Sequence, residues 1–280
     1  MIDTKLSWQG STKIVDVSQA RLWAPWFVAE YRLRNMSKWF GAIVAFGLGN
    51  PVLYLLSVGI GIGALVDNVS GGDNPLGVPY LTFLAPALLA TAAIQSAMDE
   101  TTFPTMQGFL WDKSFFSMIA TQLTGRDIVG GIMIASSIRC IFNTMIYALV
   151  LVAFGAIPIT SVPVLIFAAI FAGISFAAVM LAVTSFVKQD DGFFAIVGRF
   201  VLTPMFMFSG TFYPLENLPI YLQWIGWVSP VWHATNLGRN LSYGLEVEPW
   251  LVAVHVIYMA ALLAVAMVVA SRKFHSRLTA

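Results

Sequence analysis

The feature that most constrains this chain is a succession of apolar runs near bilayer length. They lie at about 40–66, 80–98, 128–154, 162–187, 193–209 and 250–270, each close to the ~20 residues an α-helix needs to cross a hydrocarbon core of about 30 Å. Lipid offers no partner to a peptide N–H or C=O, so such a run must pair its backbone within itself, as a helix does. Of the 280 residues 58% are hydrophobic and 10% charged, against about 45–50% and 25% in soluble domains. The prediction is an all-α integral membrane protein with six transmembrane helices.

The stretch Pro204–Arg239 departs from a plain bundle. It breaks at Ser209-Gly210 and then carries Pro214, Pro219 and Pro230 among Trp224, Trp227 and Trp232. Proline ends helices, and Trp favours the headgroup level. A re-entrant helical hairpin over about 210–240 is therefore expected on the outer side, before the last span.

Charge sets the orientation. Arg21, Arg32, Arg34 and Lys38 precede span one, Lys113 and Arg126 join spans two and three, Lys188 joins four and five, and Arg272, Lys273 and Arg277 follow six. The opposite side carries Arg239 beside Asp67, Asp73, Glu216, Glu246 and Glu248. The positive-inside rule places both termini in the cytoplasm of a bacterial cytoplasmic (inner) membrane. Residues 1–38 then form a cytoplasmic tail and surface helix, 39–271 the transmembrane domain, and 272–280 a basic tail. No small-residue cleavage site follows a short apolar core near the start, so no cleavable signal peptide is expected.

From Ser18, Leu22, Trp26, Ala29 and Leu33 recur at helical spacing, flanked by Trp23 and Phe27, with Arg21, Glu30, Arg32, Arg34 and Lys38 on a mostly basic side. That is an amphipathic helix suited to anionic headgroups. In span one, Asn50-Pro51 marks a kink, and Gly59 and Gly63 form a small-residue pair fit for close helix contact. Between spans two and three, a short cytoplasmic helix over about 108–121 carries Phe109, Trp111, Asp112, Lys113, Phe115 and Phe116. Its aromatics call for a hydrophobic partner. Arg139 lies deep in span three; a charge there is paired or faces water, its candidate partners are Asp99 and Glu100 at the inner end of span two, and Glu100 is the one expected.

Several chemistries are missing. No G-x-x-x-x-G-K-[ST] phosphate loop occurs, so ATP hydrolysis of the P-loop kind needs another chain. The single cysteine, Cys140, and the dispersed His233, His255 and His275 suggest no metal site and no catalytic arrangement; the three histidines fall in different expected environments. A net charge of +1 says nothing about a partner, and no nucleic acid is expected. An ion-coupled secondary transporter would need ionisable sites near the midplane or inverted repeats, and no repeat is evident.

Four segments carry a resemblance: NPVLYLLSVGIGIGALV in span one, GVPYLTFLAPALLATAA entering span two, TQLTGRDIVGG ending the connector, and TPMFMFSGTFYPLENLPIYLQWIGWVSPVWHATNLGRNLSYG. Their order and spacing, over roughly 38–271, resemble the membrane subunit of type-2 ABC exporters, nearest the nodulation-factor export and daunorubicin-resistance type permeases. Gln122 stands where that family usually has proline. The resemblance implies two permeases, identical or homologous, paired with two P-loop ATPase subunits that bind ATP and Mg. It implies outward movement of amphipathic cargo, such as glycolipid, lipid-linked oligosaccharide or drug, among membrane lipids. It also implies an interface helix over Ala20–Lys38, with Trp23, Trp26, Phe27, Arg32 and Arg34, and a coupling helix over Gly108–Thr121. Phe206, Met207, Phe208, Phe212 and Tyr213 stand where span five ends, placed for an outer gate on the cargo path.

Overall fold

A computed structural model describes residues 21–69, 76–189, 192–245 and 248–279. Ser18 and Ala20, where the surface helix was expected to begin, and Asp73 and Glu246 lie outside these residues. Among them the chain is all-helical. Helix α1, Ala24–Ser37, opens with Pro25 in its first turn, where a missing N–H costs nothing. It lies on α7, Gly125–Ala153, because that helix presents glycine to it: a Cβ at Gly131 would stand 2.4 Å from Val28 Cβ.

The first long helix begins as α2, Phe40–Tyr54, continues as a π-helical stretch, Leu55–Ile62, and ends as α3, Gly63–Val69. The expected kink thus takes the form of a π segment following Pro51, whose ring removes a backbone donor. Gly59 faces the chain's own next helix, since a Cβ there would meet Leu81 Cδ1 at 2.6 Å. That helix, α4, Tyr80–Thr101, is the enclosed pillar of the fold. A break at Thr102 leads to α5, Phe103–Leu110.

The expected helix over about 108–121 is two helices. Lys113, at φ 53°, turns the chain between α5 and α6, Ser114–Ile119. Thr124 and Asp127 form a capping box at the start of α7. Helix α8, Val162–Phe186, crosses α4 and α7 where Gly173 leaves room: an added Cβ would lie 2.8 Å from Cys140 Sγ and 2.9 Å from Ala93 O. Cys140 is thus a packing residue among three helices.

The last third contains α9, Phe193–Val197, a π turn, Gly198–Leu202, and α10, Thr203–Phe208. Then come α11, Ile220–Val228, and α12, Pro230–Tyr243, joined at Ser229, whose side chain accepts from Val231 N. Helix α13 runs from Pro249 to Thr279.

Among the described residues, five helices are long and apolar enough to cross a membrane: Phe40–Asp67, Tyr80–Leu110, Gly125–Ala153, Ile159–Phe186 and Pro249–Thr279. The expected crossing at 193–209 is a shorter apolar helix, Phe193–Phe208, cut off where Gly210 turns the backbone at φ 72°. The expected basic tail, 272–280, departs from the sequence reading as well. Through Thr279 it continues α13, because Phe274 is fully buried against the bundle.

Candidate functional site

Where α4 breaks at Thr102, the last carbonyls of its helix lose their intrahelical donors. Arg32 from α1 spans this break: Nη2 donates to Glu100 O at the end of α4 at 3.0 Å, and Nη1 to Pro104 O in the first turn of α5 at 2.8 Å. Its Nε faces Glu100 Oε1 at 2.8 Å as an ionic contact, with both side chains nearly sealed from solvent. Arg139 from α7 completes the cluster, with Nη2 2.9 Å from Asp99 Oδ2 and Nη1 3.7 Å from Glu100 Oε2. The expected pair Glu100–Arg139 is therefore the longer contact. Asp99 is nearer to Arg139, and Glu100 belongs chiefly to Arg32. Two carboxylates and two guanidiniums balance, which lets Arg32 and Glu100 sit sealed from water while Asp99 stays partly exposed.

Above this cluster lies a cavity of about 1000 Å³. Its end nearest α1 and the α5–α6 corner is lined by Asn35, Lys38, Trp39, Gln107 and Asp112. Its wall is formed by Phe46, Gly47 and Asn50 of α2, Gln95 and Ser96 of α4, and Asn143 and Tyr147 of α7. Tyr54 and Phe206 close the far end, their rings edge to face at 6.3 Å. Aromatic and amide side chains alternate around the space, so it offers apolar surface and hydrogen bonds together.

The α5–α6 corner sorts its residues by exposure. Trp111, Asp112, Lys113 and Phe116 are exposed. Phe109 and Phe115, expected on the same docking face, are buried inside the chain. Phe109 lies 5.0 Å from Phe115 and 4.7 Å from Phe274, ring centre to ring centre. Gly108 permits this, as a Cβ there would stand 2.5 Å from the Phe115 ring. Arg277 covers the group, its guanidinium 4.0 Å above the Phe109 ring and its Nη1 donating to Ser185 O at 3.1 Å.

On α1, Trp23, Trp26 and Phe27 are exposed, and Arg34 pairs with Glu30 at the surface. Arg32, expected on the same basic face, turns inward instead, because the broken end of α4 needs donors.

The five expected gate residues do not form one ring. Phe206 lines the cavity and packs on Phe212 at 5.3 Å. Phe208 and Tyr213 pack against Leu215, Leu218 and Trp232, between α10 and α12, and Met207 is exposed. Arg239 also differs from its sequence reading as a surface charge. It is buried, stands 3.6 Å above the Phe83 ring, and donates through Nη2 to Phe83 O at 3.1 Å and Gly210 O at 2.9 Å.

A site that sequence reasoning missed joins two histidines expected apart. His233 Nδ1 and His255 Nδ1 lie 2.8 Å apart, and His233 Nε2 lies 3.0 Å from Trp227 O. A carbonyl can only accept, so Nε2 of His233 carries the proton, its Nδ1 accepts, and His255 Nδ1 donates. Burial lowers the pKa of His233, favouring this neutral form. Spacing in sequence carried no signal of the pairing, since the two residues sit on different helices. Among the described residues no group of three or more His, Cys, Asp or Glu is placed to hold a metal ion.

A profile of the family described as "ABC-2 family transporter protein" matches residues 114–272, more than half of the chain. Nodulation protein J of Sinorhizobium fredii is 32% identical over 219 residues, 77% of this chain and 80% of that protein. Nodulation protein J of Rhizobium leguminosarum bv. viciae is 30% identical, over 75% of this chain and 80% of that protein. The probable multidrug ABC transporter permease YbhR of Escherichia coli is 25% identical, over 60% of this chain and 45% of that protein. With helices of bilayer length, a cavity between them and these alignments, the chain belongs to the ABC-2 family of transporter membrane proteins.

Proposed function

We propose that this chain is the permease half of an ATP-driven exporter that moves an amphipathic cargo outward across the cytoplasmic membrane. The observation that carries the reading is the cavity of about 1000 Å³, which starts beside the cytoplasmic corner and runs between α2, α4 and α7 to Tyr54 and Phe206. A space of mixed amide and aromatic lining suits a cargo with a polar head and an apolar body. Separate P-loop ATPase subunits supply ATP and Mg, and a second permease, identical or homologous, completes the complex. Phe193–Phe208 is then the sixth crossing, and α11–α12 dips into the outer leaflet as a re-entrant hairpin; both termini lie in the cytoplasm.

In this reading Trp111, Asp112, Lys113 and Phe116 are the face that an ATPase grips, exposed on a corner braced from within by Phe109, Phe115 and Phe274. Movement of that corner passes to α4 and, through Arg32, to α1. The cavity wall moves with them. Phe206 and Phe212 remain as the gate on the cargo path.

An ion-coupled transporter has one observation in its favour, the buried His233–His255 pair. Against it, Asp99 and Glu100 are already neutralised by Arg139 and Arg32. The test is purification together with a P-loop subunit encoded nearby, followed by reconstitution. ATP hydrolysis and cargo efflux that both require this chain support the exporter. Efflux that follows a proton gradient and ignores ATP overturns it.

A further inference from the structure

Arg239 on α12 is buried, yet among the described residues no carboxylate stands in ionic contact with it. Its donors go to backbone carbonyls instead. Nε and Nη2 donate to Phe83 O at 3.3 and 3.1 Å, and Nη2 also donates to Gly210 O at 2.9 Å. A buried cation held in this way is less stable than a well-packed apolar side chain of similar volume, so packing alone does not call for an arginine here.

The two carbonyls belong to elements of unequal freedom. Phe83 lies on α4, whose most apolar window is 72% buried. Helix α12 docks there beside Pro86, where Gly238 leaves room: an added Cβ would stand 3.1 Å from Pro86 Cβ. Gly210, by contrast, is the bend that ends the short helix Phe193–Phe208, at φ 72°. That helix is itself interrupted by the π turn Gly198–Leu202, a feature frequent at functional sites. One guanidinium therefore ties a fixed pillar to a bend that glycine leaves free to turn.

The bend carries two aromatic rings. Phe206 precedes it and Phe212 follows it, with ring centres 5.3 Å apart. Thr211 Oγ1 donates to Phe206 O at 2.7 Å and closes the turn on itself. Phe206 in turn meets Tyr54 at the far end of the cavity. Where Gly210 O is held thus sets where both rings stand.

We propose that Arg239 is the positioning residue of the outer gate: anchored on α4, it grips Gly210 O, holds Phe206 and Phe212 across the far end of the cavity, and opens the path by letting go. This rests on the exporter reading and adds the part that keeps its gate shut. The planar fork of arginine reaches both carbonyls at once while its face lies over the Phe83 ring at 3.6 Å.

The test places the full chain and its ATPase in de-energised bacterial spheroplasts, with Ala92→Cys as a reporter on the cavity wall and a membrane-impermeant maleimide added outside. The chain without the reporter gives the background, its Cys140 being buried. Arg239→Met is expected to raise the labelling rate about tenfold, the loss of one hydrogen bond to a charged group. Arg239→Lys is expected to raise it as well, because a single ammonium lacks the fork that reaches both carbonyls. A residue that served packing alone would lower the melting temperature and leave labelling from outside unchanged. If Arg239→Met fails to fold, Arg239→Lys decides. Wild-type labelling in Arg239→Lys, or loss of folding in both variants, overturns the proposal. ATP hydrolysis is measured on the same membranes with and without this chain. Hydrolysis that requires the chain while labelling ignores Arg239 leaves the exporter reading standing and removes the gate role. Labelling that follows Arg239 while hydrolysis ignores the chain keeps the gate role and removes the exporter reading.

Discussion

Arg32 Nε and Glu100 Oε1 face each other at 2.8 Å, joining the surface helix α1 to the broken end of α4. The contact locks α1 to the break between α4 and α5. Removing one member strands the other as a buried charge, which costs about 3–5 kcal/mol. Arg32→Ala should therefore lower the melting temperature of the purified protein sharply. Adding Glu100→Gln should restore part of it. Equal stability of wild type and Arg32→Ala would mean that solvent reaches Glu100 and the lock does not exist.

The α5–α6 corner separates two kinds of aromatic. Phe115→Ala empties a fully buried site, and such changes cost about 3–5 kcal/mol, so thermal stability should fall. Trp111→Ala and Phe116→Ala remove exposed rings and should leave stability within about 0.5 kcal/mol. In the proposed complex the latter two weaken capture of the ATPase subunit in a pull-down. If they unfold the chain instead, the corner is packed differently.

Truncation after Ser271 removes Phe274 and Arg277, which hold Phe109 and Ser185. A free tail would be dispensable. The shortened chain should instead show proteolytic nicking between Leu110 and Leu123, detectable by limited trypsinolysis, since Lys113 lies there. An unchanged cleavage pattern would argue that α13 does not brace the corner.

The histidine pair makes stability depend on pH with a definite sign. Burial lowers the folded pKa of His233 below its usual value, which in free peptides is about 6.5. Its contribution is complete above that value. It is lost as pH falls below it toward the folded pKa, because the unfolded chain then binds the proton more readily. Unfolding followed from pH 8 to 5 should show stability declining on the acid side, and the decline should shrink in His233→Phe. A profile identical in the variant would assign the acid sensitivity to other groups.

How much of this was legible beforehand varies with the element. The apolar runs, the broken outer stretch and the aromatic connector are all visible in the sequence, and the helices follow them closely. Residues 193–209 read as a sixth span, yet the helix stops at Phe208 and is short for a bilayer. The connector read as one helix, but Lys113 takes a left-handed turn that a propensity argument does not anticipate. Glu100 was expected to pair with Arg139, and the structure places it nearer to Arg32, on a helix far away in sequence.

The sequence by itself determined the class of the protein, the positions of its long helices and its family. Those depend on local quantities: the length of an apolar run, the 3.6-residue period, and where proline and glycine interrupt it. Only the tertiary structure decided that Arg32 caps Glu100, 68 residues away, and that Arg239 caps Phe83 at a separation of 156. It also decided that His233 meets His255, that Phe109 and Phe115 turn inward, and that a cavity opens between α2, α4 and α7. These follow from which helix faces meet, and a buried donor takes whichever carbonyl or carboxylate the packing leaves unpaired.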